Sequence, residues 1–246
     1  SFKLIASQHA DYFANRLHTR FLRRLMYRCV DSITALTVFD TNLYKKWHNN
    51  VYYIPNPILF YPDTVPSYSQ RNSKVIAAGR LNKVKRFKDF IDLAKIMKDF
   101  SQLSFNIFGD GEEKYSLALY AKNIGLEPDS ILKGKTAELD RKLLLSRFLV
   151  VTSERESFSM VILEAMASGC IPISYDCPTG PRELIVSGVN GYLVADGDLL
   201  SIRNIIINLS DDTVLAESIQ ANARSTAIKY KSDIVRNKWK VLLNEL

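Results

Sequence analysis

Two glutamates, Glu156 and Glu164, stand eight positions apart in the stretch 153–184, SERESFSMVILEAMASGCIPISYDCPTGPREL. A strand is expected before them, a helix through them and a strand after. If all the steps between them were helical, the carboxylates would lie about 12 Å apart along the axis. The amides of Phe158, Ser159 and Met160 would then sit near a helix N-terminus, where backbone N–H groups and the helix dipole favour phosphate. Carboxylates accept paired sugar hydroxyls well, so the pattern suits a ligand with hydroxyls at both ends and phosphate between. Two rivals remain at this point. The carboxylates would serve as the acid and base of a hydrolase, or they would simply sit in a helix whose dipole favours acidic residues near its start.

Four other motifs follow expected strands. Gly79-Arg80-Leu81 with Lys85 offers close backbone approach, a guanidinium fork and a point charge. The bland reading is a loop with ordinary surface cations, since Lys83, Arg86 and Lys88 crowd it. Phe108-Gly109-Asp110-Gly111-Glu112 lacks the third glycine of a dinucleotide fingerprint. A tight turn into a helix capped by Asp110 is the expectation there. Pro178-Thr179-Gly180-Pro181-Arg182-Glu183 would wrap a substrate or merely connect a strand to a helix. His9 follows the first strand and faces the expected cleft edge, whereas His18 and His48 read as helix-surface residues.

These positions depend on a regular alternation of elements. Before Pro55-Asn56-Pro57 the chain reads strand 2–7, helix 16–29, strand 32–38, helix, strand 51–54. The polar, turn-rich stretch 62–72 is the expected boundary. Strands then follow at 74–78, 104–108, 130–132, 148–152, 171–175 and 191–194. Helices lie at 87–99, 112–123, 138–147 and 157–167. Helices 199–209, 213–229 and 232–246 close the chain. Apolar runs of about five residues alternating with longer amphipathic stretches argue for an α/β fold with parallel sheets. In such sheets ligands bind beyond the carboxyl ends of the strands. Residues 1–60 are too few for a whole doubly wound domain and read as the last part of one.

The chain has 246 residues, 47% hydrophobic and 24% charged, with a net charge of +7. No run approaches the roughly 18 apolar residues of a membrane span, and no signal-peptide pattern opens the chain. The first residue is Ser1 rather than Met, which reads as a processed or truncated piece. Cys29, Cys170 and Cys177 form no CxxC pair, which favours a reduced cytoplasmic protein over a zinc site. Charge is uneven: residues 1–50 carry eight Lys or Arg against three Asp. Arg16, Arg20, Arg23, Arg24 and Arg28 share one helical stretch with Leu17, Phe21, Leu22 and Leu25. That stretch is either a solvated face or a surface for anionic lipid or an anionic acceptor, peripheral on the inner face of the cytoplasmic membrane. No nucleic-acid motif accompanies the charge.

Together, GRL with Lys85 five residues after its Arg, FGDGE, SxxExF and the E-x7-E that runs into LEAMASGCIPIS, GPREL and GVNGYLV resemble retaining glycosyltransferases of family 4, which have the two-domain GT-B fold. The resemblance covers nearly the whole chain. It implies a partial acceptor-binding domain over 1–65, a linker over 66–73, a complete nucleotide-sugar-binding domain over 74–229 and a returning helix over 230–246. It implies that Arg80 and Lys85 hold the donor diphosphate, that Glu164 binds the ribose, and that Glu156 positions the transferred sugar. Lys133 and Gly134, with Leu132, would pass the base. His9 would meet the sugar near the reacting carbon, while Gly79, Gly109, Gly180 and the amides of Phe158, Ser159 and Met160 line the donor.

The DCPTGPRE variant is similar to bacterial polysaccharide and lipopolysaccharide hexosyltransferases, which commonly use UDP-hexoses and glycan or lipid-linked acceptors. The family needs no metal and no other cofactor. Family members carry Gly at the position of Ser157 and Gly or Pro at Ser159, so the serines depart from the pattern. The remaining readings are another GT-B enzyme, an epimerase or phosphorylase, or a nucleotide-binding module without activity.

Overall fold

The computed structural model describes residues 2–14 and 17–245. Ser1, Arg16 and Leu246, which the sequence reading assigned to the chain start, the first helix and the last helix, lie outside the described residues. Before the Pro55-Asn56-Pro57 break the chain forms β1 (Ile5–Gln8), α1 (Leu17–Met26), β2 (Ser32–Ala35), α2 (Val38–Lys45) and β3 (Val51–Tyr53). These three strands pair in parallel in the order β1-β2-β3.

The chain continues with β4 (Asn72–Ala78), α3 (Phe87–Ile96), β5 (Ser104–Phe108), α4 (Lys114–Asn123), α5 (Pro128–Ile131), β6 (Leu132–Gly134), α6 (Leu139–Leu145) and β7 (Ser146–Val151). Then come α7 (Met160–Ser168), β8 (Ile171–Tyr175), α8 (Pro181–Leu184), β9 (Tyr192–Val194), α9 (Leu199–Asp211), α10 (Thr213–Ile228) and α11 (Ser232–Glu245). Their sheet has six parallel strands in the order β6-β5-β4-β7-β8-β9. The chain runs outward from β4 through β5 and β6, then crosses back to β7. The ends of β4 and β7 therefore flank a topological switch point, where such sheets open a crevice.

Alternation along the central strands buries both faces. Val75, Ala77, Phe148, Val150, Ile171 and Ile173 pack on one side with Phe90 and Ile91 of α3 and Ile202 of α9. Ile76, Ala78, Leu149 and Val151 pack on the other with Leu163 and Met166 of α7 and Ala223 and Ala227 of α10. The expected strand at 130–132 begins later, because Pro128 opens the four-residue helix α5. A second short helix with Pro at its start, α8, was also not expected. The helix expected over 138–147 stops at Leu145, and β7 starts at once.

In the basic stretch, Arg23 is not on a solvated face. It is buried and donates to the Tyr44 hydroxyl at 2.6 Å and to Gln8 Oε1 at 3.1 Å. Leu17, Phe21, Leu22 and Leu25 are exposed. Among the described residues no helix is long and apolar enough to cross a membrane.

Two cations anchor the C-terminal end of α7, where the helix dipole favours them. Arg224 donates to Ala167 O at 2.7 Å, and the buried Arg71 donates to Ser168 O at 2.8 Å. Arg71 also reaches Leu144 O at 2.9 Å and Ser146 O at 3.1 Å. The last helix, α11, turns back on the first sheet, where Val235, Leu242 and Trp239 pack with Ile54, Tyr52 and Ile5.

Replacing Arg71 with Met strands several buried carbonyls. The change is expected to cost about 2–4 kcal/mol and to lower the thermal midpoint by roughly 5–10 °C. A melting curve of Arg71→Met within 2 °C or so of wild type would show that the carbonyls find other donors.

Candidate functional site

Glu156 is almost fully buried at 8% exposure. A charge so placed needs a partner and hydrogen bonds. Lys85 Nζ lies 2.6 Å from its Oε1, and the Ser153 hydroxyl donates to the same oxygen at 2.6 Å. Lys85 comes from another strand end, on the one-turn 3-10 helix Lys83–Lys85 that Asn82 caps. That turn is strapped to the end of β7. The Thr152 hydroxyl donates to Lys85 O and Arg86 O, and the Glu154 amide donates to Val84 O at 2.8 Å. On the far side, the Thr179 hydroxyl donates to Glu156 O. Gly180 adopts φ 74°, and a Cβ there would meet Glu156 Cβ at 2.8 Å.

Arg80 lies elsewhere in the crevice. It is exposed and pairs with Glu112 at 3.3 Å, an ion pair that solvent screens strongly. It lines a cavity of about 330 Å³ with Gly79, Gly109, Asp110, Lys135 and Thr136. Gly109 is required there, since a Cβ would fall 1.9 Å from Gly79 O. Asp110 is not a helix cap. α4 begins only at Lys114, because the loop is tied instead to Leu81, whose amide donates to Asp110 O and whose carbonyl accepts from Glu113. Lys133 Nζ donates to Asp129 O at 2.7 Å. The cavity wall is built by Lys135 and Thr136 just beyond it, residues that no motif had singled out.

α7 begins at Met160 rather than at Ser157, because Ser159 is left-handed at φ 62°. Only the second half of the interval between the two glutamates is therefore helical. The Phe158 ring is buried, edge-on to Tyr230 at 5.7 Å. The Ser159 hydroxyl is buried and has no hydrogen-bond partner among the described residues. Glu164 is half-buried on α7. Desolvation first, and the Asp140 carboxylate second, push it above the usual glutamate range.

His9 follows β1 with its Nε2 3.2 Å from Ser7 Oγ. Two residues on, the Asp11 amide donates to the Ser157 hydroxyl at 3.3 Å, which joins this segment to the loop before α7. His48 is no helix-surface residue. It lies past the end of α2, where its ring nitrogens meet Val30 O and the Asn50 amide, both at 3.2 Å. The chain contains an Asp-x-Asp triplet, Asp196-Gly197-Asp198, and both carboxylates are engaged. Asp196 pairs with Arg86 at 2.5 Å, and Asp198 caps α9 through the Ser201 amide at 3.0 Å. Arg86, at a left-handed φ of 49°, also pairs with Asp89 at 2.6 Å and lies over the Tyr175 ring.

The family model described as Glycosyl transferases group 1 matches residues 67–226. The chain is 28% identical over 197 residues to the poly(ribitol-phosphate) alpha-N-acetylglucosaminyltransferase of Staphylococcus aureus, covering 79% of this chain and 40% of that protein. It is 26% identical over 254 residues to the amylovoran biosynthesis glycosyltransferase AmsD of Erwinia amylovora, covering 98% of this chain and 70% of that protein. The crystal structure of S. aureus TarM with fondaparinux, alpha-GlcNAc-glycerol and UDP superposes with a TM-score of 0.85 at 23% identity, over 98% of this chain and 51% of that one. Anabaena HepE with UDP and glucose gives 0.85 at 21% identity, over 99% and 72%. The chain thus spans about half the length, or less, of several of the proteins it matches. The α/β arrangement is that of the GT-B fold.

Two outcomes follow from the buried charges. Lys85→Met leaves Glu156 unpaired and is expected to cost about 2–4 kcal/mol, after a discount for the partial exposure of Lys85. Lys85→Met combined with Glu156→Leu should recover most of it, and chemical denaturation of the three variants reads the difference. Glu164 keeps its proton in the folded state where the unfolded chain has released it. Stability should therefore fall as pH rises through the window above the ordinary glutamate pKa. Glu164→Gln should flatten that slope in melting curves taken across pH, and an unchanged slope would count against the assignment.

Proposed function

The chain belongs to the group 1 glycosyl transferases, and on that premise we propose that it carries the nucleotide-sugar site of a retaining hexosyltransferase in bacterial surface-polysaccharide synthesis. In this reading residues 74–229 bind the donor, 1–65 form part of the acceptor side, and 230–246 return to it. The reaction breaks the bond between the anomeric carbon and the diphosphate and forms one to an acceptor hydroxyl on the same face of the sugar.

The observation that supports the reading most is convergence at the switch point. Arg80 and Lys85 arrive from the end of β4, the amides at the start of α7 from the end of β7, and Gly180 from the end of β8. Two cations and a helix N-terminus offer preorganised stabilisation to a departing diphosphate. Glu156 then faces the sugar and Glu164 the ribose, with His9 near the reacting carbon. The carboxylates are thereby assigned to hydroxyls rather than to hydrolysis.

UDP is the proposed leaving group, in keeping with the UDP held by TarM and HepE. The acceptor is a glycan or a lipid-linked glycan. Peripheral contact with an anionic membrane is assigned to α1, where exposed Leu17, Phe21, Leu22 and Leu25 stand with Arg24, and Arg28 follows in the next turn, the pattern of an interfacial helix.

Calorimetry of the chain with UDP, UDP-glucose, UDP-galactose, a UDP-N-acetylhexosamine and a GDP-sugar tests the proposal. UDP and at least one UDP-sugar are expected to bind. Arg80→Ala, at an exposed position, should weaken UDP binding tenfold or more with no change in melting temperature, and Lys85→Ala should weaken it similarly. Near-wild-type affinity in both variants would sink the assignment.

A further inference from the structure

The first turn of α2 holds parts of the cleft that come from distant stretches of chain. Thr37 caps the helix. Its Oγ1 accepts from the Asp40 amide at 3.0 Å and donates to Asp40 Oδ2 at 2.9 Å. The other Asp40 oxygen accepts the Tyr12 amide at 3.0 Å, which secures the segment that carries His9. The Val38 amide, an unpaired donor at the first helical position, reaches both carboxylate oxygens of Glu183 at 3.1 and 3.2 Å.

Glu183 belongs to α8, and its own amide donates to Gly180 O at 3.0 Å. Gly180 in turn packs against Glu156. The circuit closes where the Asp11 amide meets Ser157. A ring of contacts thus runs from the His9 segment through Asp40, α2, Glu183, Gly180 and Glu156 back to Asp11.

Glu183 is a costly residue to place there. Burial pushes its carboxyl above the usual glutamate range, and the Asp40 charge adds to this. The Val38 amide, the Tyr53 hydroxyl and the Lys238 ammonium oppose it. A carboxylate that only filled space would be better replaced by an apolar side chain. Its directional contact with a helix N-terminus in the other sheet is what an apolar residue cannot supply.

We infer that Glu183 is a positioning residue for the proposed transfer, holding the His9 segment in register with Glu156 and Gly180 through Val38. The inference rests on the donor-site reading above.

Two substitutions break the contact from opposite sides in the full chain. Glu183→Ala removes the acceptor. Val38→Pro removes the donor at a first helical position, where proline is well tolerated, after a residue that is already extended at φ −124°, ψ 153°. Without nucleotide, exchange of the Tyr12 and Phe13 amides should quicken at least tenfold in both variants, while amides of β4 and β7 keep their protection. UDP affinity should stay within about twofold and UDP-glucose affinity should fall about tenfold, with the double variant no worse than either single one.

Unchanged Tyr12 exchange in both variants overturns the inference, as does loss of UDP affinity in step with UDP-glucose. A wild-type chain that binds neither nucleotide overturns the donor reading, and the exchange response then still decides whether Glu183 holds the His9 segment.

Discussion

The Lys85–Glu156 pair is the constraint around which the rest of the site is arranged. A carboxylate with so little exposure is stable only with a cation against it. The cation comes from a turn 71 residues earlier in the chain, so β4 and β7 must lie side by side and their end loops must interlock. Thr152 and Glu154 lock the turn that carries Lys85, while Ser153, Thr179 and Gly180 hold Glu156. In the proposed donor site a diphosphate would compete for Lys85, and the carboxylate so released would be free to accept hydroxyls. The ion pair thus holds both partners in place before any ligand is present.

Backbone strain collects at the same place. Arg86 and Ser159 are the described non-glycine residues with positive φ, at 49° and 62°. Each conformation is of the kind that costs an L-residue about 1–2 kcal/mol. One stands directly after Lys85 and the other directly before α7. Arg86 is held by Asp89, Asp196 and the Tyr175 ring. Ser159 is held by the helix behind it, whose far end is clamped by Arg71 and Arg224. Rigid support at the C-terminal end of α7 lets its N-terminal end depart from ideal geometry.

Much of this was legible in the sequence, for local reasons. The strands at 104–108 and 171–175 fall where short, mostly apolar runs predicted them, because strands covered on both faces read as near-continuous apolar runs. The motifs at 79–85, 108–112 and 153–164 follow strands, so parallel topology alone gathers them at one sheet edge. What could not be read depends on tertiary partners. Arg23 looked like one more surface cation until Gln8 and Tyr44 were seen to enclose it. Asp110 lost its expected cap to Leu81, which is distant in sequence. Glu183 sat inside a plausible turn motif, and nothing near it in sequence announced that Val38 would be its partner. Pro128 and Pro181, each at a position favoured for starting a helix, were the signals that would have revealed the two short helices.

The return of α11 to the first sheet bears on how the chain is made. Val235, Trp239 and Leu242 complete the apolar cluster of Ile5, Tyr52 and Ile54. On a ribosome, β1 to β3 emerge long before those residues exist, at about 5–20 residues per second. The six-stranded sheet can assemble as soon as β9 and α10 are out, whereas the three-stranded sheet waits for α11. β1 to β3 thus precede the six-stranded sheet in synthesis and follow it in completion. A chain cut before Val235 would lose the apolar cover of the first sheet while keeping every strand of the second.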